Sequence, residues 1–272
     1  MSLNISQFTT FDIIGHLAFA EPFDCLSNSD YHPWVGYFLS VAKTVTWLRA
    51  FSRVSLRAAP SLMKLIPKRI QRENRAHLEL SREKIIRRRQ KQLDYTDFLS
   101  TMITAEKSGT IEFGHLLSNT PILIVAGSET TATSLSGTTY YISQNPHVYA
   151  RLVNEIRTTF QTPDDITVAR TSDLKYLLAV IDESLRLYSP TITNHPRLTP
   201  PGGATIAGRF VPGNYIVGIN YYGTSRSTMN FHRPEEFIPE RFLEPENPEW
   251  HNDRRDALQP FSLGPRNCIG RK

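Results

Sequence analysis

Phe261-Ser262-Leu263-Gly264-Pro265-Arg266-Asn267-Cys268-Ile269-Gly270 sets one cysteine between two glycines, with an arginine two positions before it. Glycine permits a tight turn whose backbone N–H groups can face the sulfur. A thiolate needs positive electrostatic support, and Arg266 is placed to supply it. Taken alone, Cys268 reads first as a small hydrophobe packed like any other. The full spacing Phe-x-x-Gly-x-Arg-x-Cys-x-Gly is more informative, because so many fixed positions seldom coincide. The chain's other cysteine is Cys25, so a disulfide framework and a four-cysteine zinc site are both excluded.

Working outward, three upstream segments carry chemistry of their own. Ala126-Gly127-Ser128-Glu129-Thr130-Thr131 lies in a long apolar stretch suited to a helix. There the Thr130 hydroxyl can bond back to the carbonyl of Ala126, one turn earlier, and distort the helix locally. Gly127 leaves room for a bound molecule, and Glu129 with Thr130 offers a carboxylate and a hydroxyl for proton delivery. The competing reading of the same residues is a buried helix contact made by small side chains. Glu183-Ser184-Leu185-Arg186 puts a carboxylate and a guanidinium on one helix face at i, i+3, where they pair readily. Phe237-Ile238-Pro239-Glu240-Arg241-Phe242 follows in an irregular, proline-rich region.

These four segments, in this order, resemble the motifs of the cytochrome P450 superfamily, the haem-thiolate monooxygenases. The resemblance implies a haem cofactor whose iron takes Cys268 as its axial thiolate, with Phe261 shielding the sulfur and Gly270 closing the loop. Arg266 is implied as a propionate partner, and Arg197 in Asn194-His195-Pro196-Arg197 as a second. Glu129 and Thr130 take the proton-delivery role by the same resemblance. Ala126, Gly127 and Ile192 then border the substrate, Ile192 as part of the post-helix stretch 191–196. Arg241 is implied to join Glu183 and Arg186 in a buried structural triad, whose half-satisfied form would be costly.

By resemblance the reaction inserts one oxygen atom of O2 into a small apolar organic substrate, with electrons from an NADPH-dependent reductase. The stretch Asp12-Ile13-Ile14-Gly15-His16-Leu17-Ala18-Phe19 further resembles fungal microsomal members, isotrichodermin hydroxylase-like enzymes of secondary metabolism among them. That implies an endoplasmic reticulum membrane location for a full-length member. The family's membrane anchor, N-terminal sheet, substrate-capping loop, Trp-x-x-x-Arg helix and the helix after the cysteine loop find no counterpart here. The expectation is therefore a partial member, one that alone holds haem poorly because apolar surface stays uncovered.

Composition agrees with a packed protein. The 272 residues are 40% hydrophobic and 21% charged, which excludes wholesale disorder. No run approaches the roughly 18 apolar residues of a membrane span, and residues 1–10 lack the pattern of a secretory signal. Neither a phosphate-loop motif nor Gly-x-Ser-x-Gly occurs. Eleven of the 31 Lys and Arg, with three of the 26 Asp and Glu, fall in residues 64–92, a local net of +8 against +5 overall. That segment reads as an amphipathic helix with a basic face, its apolar side carrying Leu62, Leu65, Ile66, Ile70, Leu78, Ile85 and Ile86. Solvation is the ordinary fate of such a face; a membrane surface or an acidic partner is the functional one. Nucleic acid is disfavoured, since no recognition motif accompanies the charge.

The expected fold is mainly α with a small β-sheet (α+β). Residues 1–189 read as a helical body and 190–272 as a small sheet, a meander and the cysteine loop, together one partial domain. Helices are expected over 11–19, 97–103, 116–144, 146–160 and 172–187, with a further apolar stretch at 34–56. Pro121 should kink the long helix or mark a late start. Strands over 208–213 and 215–219 should pair with each other across the turn between them. Two other readings belong beside the enzyme: a remnant that keeps the motifs without holding haem, and a basic helical binding protein acting through residues 64–92.

Overall fold

A computed structural model describes residues 3–30, 68–192 and 196–271. The apolar stretch 34–56, the first residues of the basic segment (Leu62, Leu65 and Ile66 among them), Asn194 and His195 lie outside the described residues. The chain divides into two compact units, Met1–Ala132 and Thr133–Lys272.

The first unit is helical. Helix α1 (Leu3–Phe19) is followed by the single turn α2 (Cys25–Asn28), then α3 (Lys68–Gln90) and α4 (Phe98–Lys107). Helix α5 (Phe113–Gln144) begins here and supplies residues to both units. Its α1 starts well before residue 11, because Thr9 and Thr10 bond their hydroxyls back to Ile5 and Ser6 and so fit within a helix. Phe8, Phe11, Ile14, Ala18 and Phe19 from α1 pack with Phe23, Ile85, Leu99, Leu116 and Ile124 into one apolar core. Asp12 closes the corner after α1 by accepting the backbone N–H groups of Phe23, Cys25 and Leu26.

Of the kink or late start expected of Pro121, the late start does not occur in helix α5. It begins at Phe113, with Pro121 inside it. The beginning is fixed locally instead: the N–H of Glu112 donates to His115 Nδ1 while the N–H of His115 donates to the Glu112 carbonyl.

The basic helix α3 also differs from its sequence reading. Ile86 is 40% exposed, while His77, Ser81, Lys84, Ile85 and Arg88 form the buried face. Two of the cations are therefore spent inside the unit. Lys84 Nζ lies 2.9 Å from Glu21 and 4.7 Å from the centre of the Phe23 ring. Arg88 pairs with the buried Asp97. Lys91 also reaches Glu21, at 3.0 Å, and Arg89 reaches Glu106 at 3.1 Å. What remains on the outer face is an ordinary mixed-charge surface that includes Glu79 and Glu83.

Burial on this helix makes the first unit sensitive to acid. Burial holds the His77 imidazole down at about 4, below its usual 6.5. Burial raises the Glu21 carboxyl, but hydrogen bonds from Lys84 and Lys91 outweigh it and hold the group at about 2. Both groups bind protons more readily unfolded, so both remove stability as the pH falls. His77 acts between about 6.5 and 4, Glu21 between about 4.5 and 2. Urea midpoints should therefore fall in two overlapping steps, each on the order of 2 kcal/mol. His77→Gln should flatten the upper step alone and Glu21→Gln the lower alone.

In the second unit, α6 (Pro146–Thr159), the turn α7 (Val168–Thr171) and α8 (Lys175–Leu187) precede the irregular region. Val148 and Leu152 of α6 meet Tyr176, Val180 and Leu187 of α8 and Phe237, forming a second core. The expected start of α8 at 172 moves to Lys175, since residues 168–171 make their own turn capped by Thr167. Two short helices, α9 (Tyr221–Ser225) and α10 (Glu240–Leu243), pack against α8.

The strands pair differently from expectation. Strand β2 (Ala204–Ile206) pairs antiparallel with β3 (Arg209–Val211), and β1 (Arg197–Leu198) pairs with β4 (Ile216–Val217). The described residues thus hold two separate two-stranded ladders rather than a 208–213/215–219 pair. Local geometry explains the choice. Ala207 and Gly208 have φ of 48° and 76°, the two positive values that a two-residue hairpin turn needs between β2 and β3. The buried Thr199 draws 215–217 toward β1: its N–H donates to the Tyr215 carbonyl, and its hydroxyl both donates to Pro212 and accepts from the Tyr215 N–H.

Candidate functional site

Helix α8 carries the centre of the second unit's site. Its buried stripe of Tyr176, Ala179, Val180, Glu183, Ser184 and Leu187 follows helical spacing and places two ionisable residues, Glu183 and Arg186, inside. The first-turn donors of α8 are satisfied from α6, where Glu155 accepts the N–H groups of Tyr176 at 2.8 Å and Leu177 at 2.9 Å.

Arg186 donates to both carboxylate oxygens of Glu183, at 2.7 and 2.8 Å. Its remaining donors reach the carbonyls of Ser225, Pro234 and Glu236. Arg241, on α10, approaches the same carboxylate at 3.2 Å. The three side chains expected to form a triad do meet, each with no exposed surface. Both guanidinium groups also face the buried Phe231 ring, at 5.1 and 5.9 Å from its centre. The structure adds a fourth ion that the motifs did not contain. Asp253 pairs with Arg241 through one oxygen and accepts the His232 N–H at 2.6 Å through the other. Two carboxylates thus balance two guanidinium groups, and the bonds tie α8 to residues 225–253.

The cysteine loop follows this cluster along the chain. Ser262 and Gly264 take φ of 60° and 81°, so the loop reverses sharply before the cysteine. At Gly264 glycine is required by conformation, since a Cβ there would meet nothing within 4 Å. Gly270 has an ordinary φ of −87°, so the conformational reason offered for glycine holds only on one side of Cys268. The Cys268 N–H donates to the Phe261 carbonyl at 2.8 Å, and the Asn267 N–H to Gly264 at 3.0 Å, closing the loop on itself. Cys268 is a free thiol and exposed, not a packed hydrophobe. Arg266 is exposed nearby and makes no ion pair among the described residues. Arg197 opens onto a cleft of about 680 Å³ that it shares with Ser262 and Leu263 of the loop, Ile219, Tyr221 and Arg254. Ile192, 54% exposed, borders a separate cavity of about 10 Å³, room for a single water.

The donor chemistry fits a haem. Among the described residues no three His, Cys, Asp or Glu side chains are grouped to hold a bare metal ion. A single accessible thiol, with guanidinium groups at Arg266 and Arg197, suits an iron already held by a macrocycle bearing carboxylates.

In the first unit, the middle of α5 presents Ala126 and Thr130 on an exposed face, and Thr130 Oγ1 donates to the Ala126 carbonyl at 2.6 Å, as its spacing implied. Gly127 differs from expectation. A Cβ there would lie 2.6 Å from Ile14 Cδ1, so the space beside Gly127 is filled by α1 rather than kept for a bound molecule. Glu129 points to the same neighbour, accepting a bifurcated bond from Gln7 Nε2 at 3.2 and 3.3 Å. Gln7 carried no motif, and no feature of the sequence marks it.

A sequence profile for the family described as Cytochrome P450 matches residues 3–272. Cytochrome P450 monooxygenase astA of Talaromyces wortmannii is 45% identical over 97% of this chain and 53% of its own length. Trichothecene C-15 hydroxylase of Fusarium sporotrichioides is 42% identical over 97% of this chain and 54% of its own length. Cytochrome P450 monooxygenase astJ of Aspergillus oryzae is also 42% identical, over 97% of this chain. The chain spans about half the length of these curated relatives.

Proposed function

Because this chain belongs to the cytochrome P450 family, we propose that the protein is a haem-thiolate monooxygenase that inserts one oxygen atom of O2 into a small apolar organic molecule. The observation that carries the reading is the free, exposed Cys268 thiol in a loop closed by its own backbone bonds. When bound, the haem supplies oxygen activation. Cys268 Sγ would hold its iron, and the half-buried Phe261 would cover the sulfur. Arg266 and Arg197 would hold the propionates as charge-assisted donors.

On the first unit, Ala126 and Thr130 would form the substrate-side surface of α5. The Thr130 hydroxyl, already donating to Ala126, can accept a hydrogen bond from water while keeping that bond. Glu129 would exchange protons with solvent. Gly127 serves this surface indirectly, by letting α1 close against α5. Electrons would come from an NADPH-dependent reductase, and the substrate is a fungal secondary metabolite, a class for which the similarity to a trichothecene hydroxylase speaks. No described helix is long and apolar enough to cross a membrane. An endoplasmic reticulum location is proposed from the microsomal character of the resemblance alone.

The test is spectral. The protein is purified with haem supplied, reduced and exposed to carbon monoxide. The expected result is a thiolate-ligated absorption signature that vanishes in Cys268→Ala while secondary structure is retained. Haem uptake with an unchanged signature in Cys268→Ala would overturn the assignment.

A further inference from the structure

The Glu129 carboxylate is held on the side of α5 that faces α1, whereas its neighbour Thr130 stands exposed. One amide nitrogen, Gln7 Nε2, donates to both carboxylate oxygens at 3.2 and 3.3 Å. The contact is registered by a second one: Ile14, two turns further along α1, sits in the notch left by Gly127. Helix α1 therefore meets α5 at two residues of the same motif, Gly127 and Glu129. We propose that Gln7 is a positioning residue for Glu129, a tether that parks the carboxylate against α1 and releases it for proton exchange during turnover. This rests on the proton-delivery role proposed for Glu129.

The tether suits release. Its donor is neutral and its two bonds are longer than the usual 2.9–3.0 Å, so it orients the carboxylate without the grip of an ion pair. An arginine at position 7 would offer a charged fork to the same two oxygens and hold them shut. A leucine would fill similar space with no donor at all.

Two measurements test this on the haem-loaded full-length enzyme. In thermal unfolding, Gln7→Leu and Glu129→Gln should each lower the midpoint, with the double variant losing less than the sum. In turnover, Gln7→Arg should raise the unfolding midpoint and yet lower kcat about tenfold, a small part of what proton transfer supplies, with KM unchanged. A purely structural Gln7 would make rate follow stability. Additive unfolding effects overturn the contact, and a Gln7→Arg enzyme with the parent kcat overturns the positioning role. If Glu129→Gln itself turns over at the parent rate with the thiolate signature intact, the role given to Glu129 falls and this proposal with it. A slow Glu129→Gln beside a fast Gln7→Arg removes Gln7 alone.

Discussion

Glu183→Ala is expected to destabilise the second unit by about 3–5 kcal/mol, the cost of stranding a buried charge. The carboxylate accepts four bonds: two from Arg186, one from Arg241 and one from the Ile238 N–H. Without it Arg186 keeps only the carbonyls of Ser225, Pro234 and Glu236, and no carboxylate answers its charge. Arg241 keeps Asp253. Domains of this size hold roughly 5–15 kcal/mol in all, so one substitution removes a large fraction. Glu183→Gln keeps an acceptor of the same shape and should lose less than alanine does, separating the charge from the packing. Urea unfolding of the protein without haem is the measurement, because cofactor loss then cannot imitate the effect. An alanine variant with the parent midpoint would show that the cluster adds nothing to stability.

This cluster also shows what the sequence could and could not disclose. Glu183, Arg186 and Arg241 were legible because a fixed spacing and a proline-led segment mark them. Asp253 was not, since Asn252-Asp253-Arg254-Arg255-Asp256 reads as a solvated charged loop. A charge count alone could have found it: two buried arginines on one carboxylate leave a net positive charge that the interior does not tolerate unpaired. The α3 helix failed for a related reason. Helical periodicity assigns Lys and Arg to the outer face, yet Lys84 and Arg88 lie inside because Glu21 and Asp97, both outside the helix, come to meet them. Pairing across distant segments leaves no periodic trace. The small ladders failed differently, through a choice among near-equal partners decided by Thr199 and the Ala207-Gly208 turn. At Gly127 the small-residue helix contact, the plainer of two readings, is what the structure displays.

Asp97→Ala should produce the comparable collapse in the first unit, again about 3–5 kcal/mol, because one side chain performs two jobs there. Asp97 is the N-cap of α4: it accepts the Ser100 N–H at 2.7 Å while the Ser100 hydroxyl accepts the Asp97 N–H at 3.1 Å. Through its other oxygen it pairs with Arg88, which is 6% exposed. Burial raises the Asp97 carboxyl, but bonds from Arg88 and Ser100 outweigh it and keep the group below the usual carboxylate range. Alanine removes the cap, worth about 1 kcal/mol, and leaves the Arg88 guanidinium with only the Lys91 carbonyl and the Ser100 hydroxyl. Asparagine separates the two jobs, since it caps a helix as well as aspartate but carries no charge. The asparagine variant should therefore recover about the capping share and remain destabilised by the rest. Arg88→Met in the Asp97→Asn background supplies the decisive arm. If the stranded cation is the larger cost, replacing it with an apolar side chain of similar length restores most of the urea midpoint, whereas a cost that lay mainly in the cap would leave the double variant no more stable than Asp97→Asn alone.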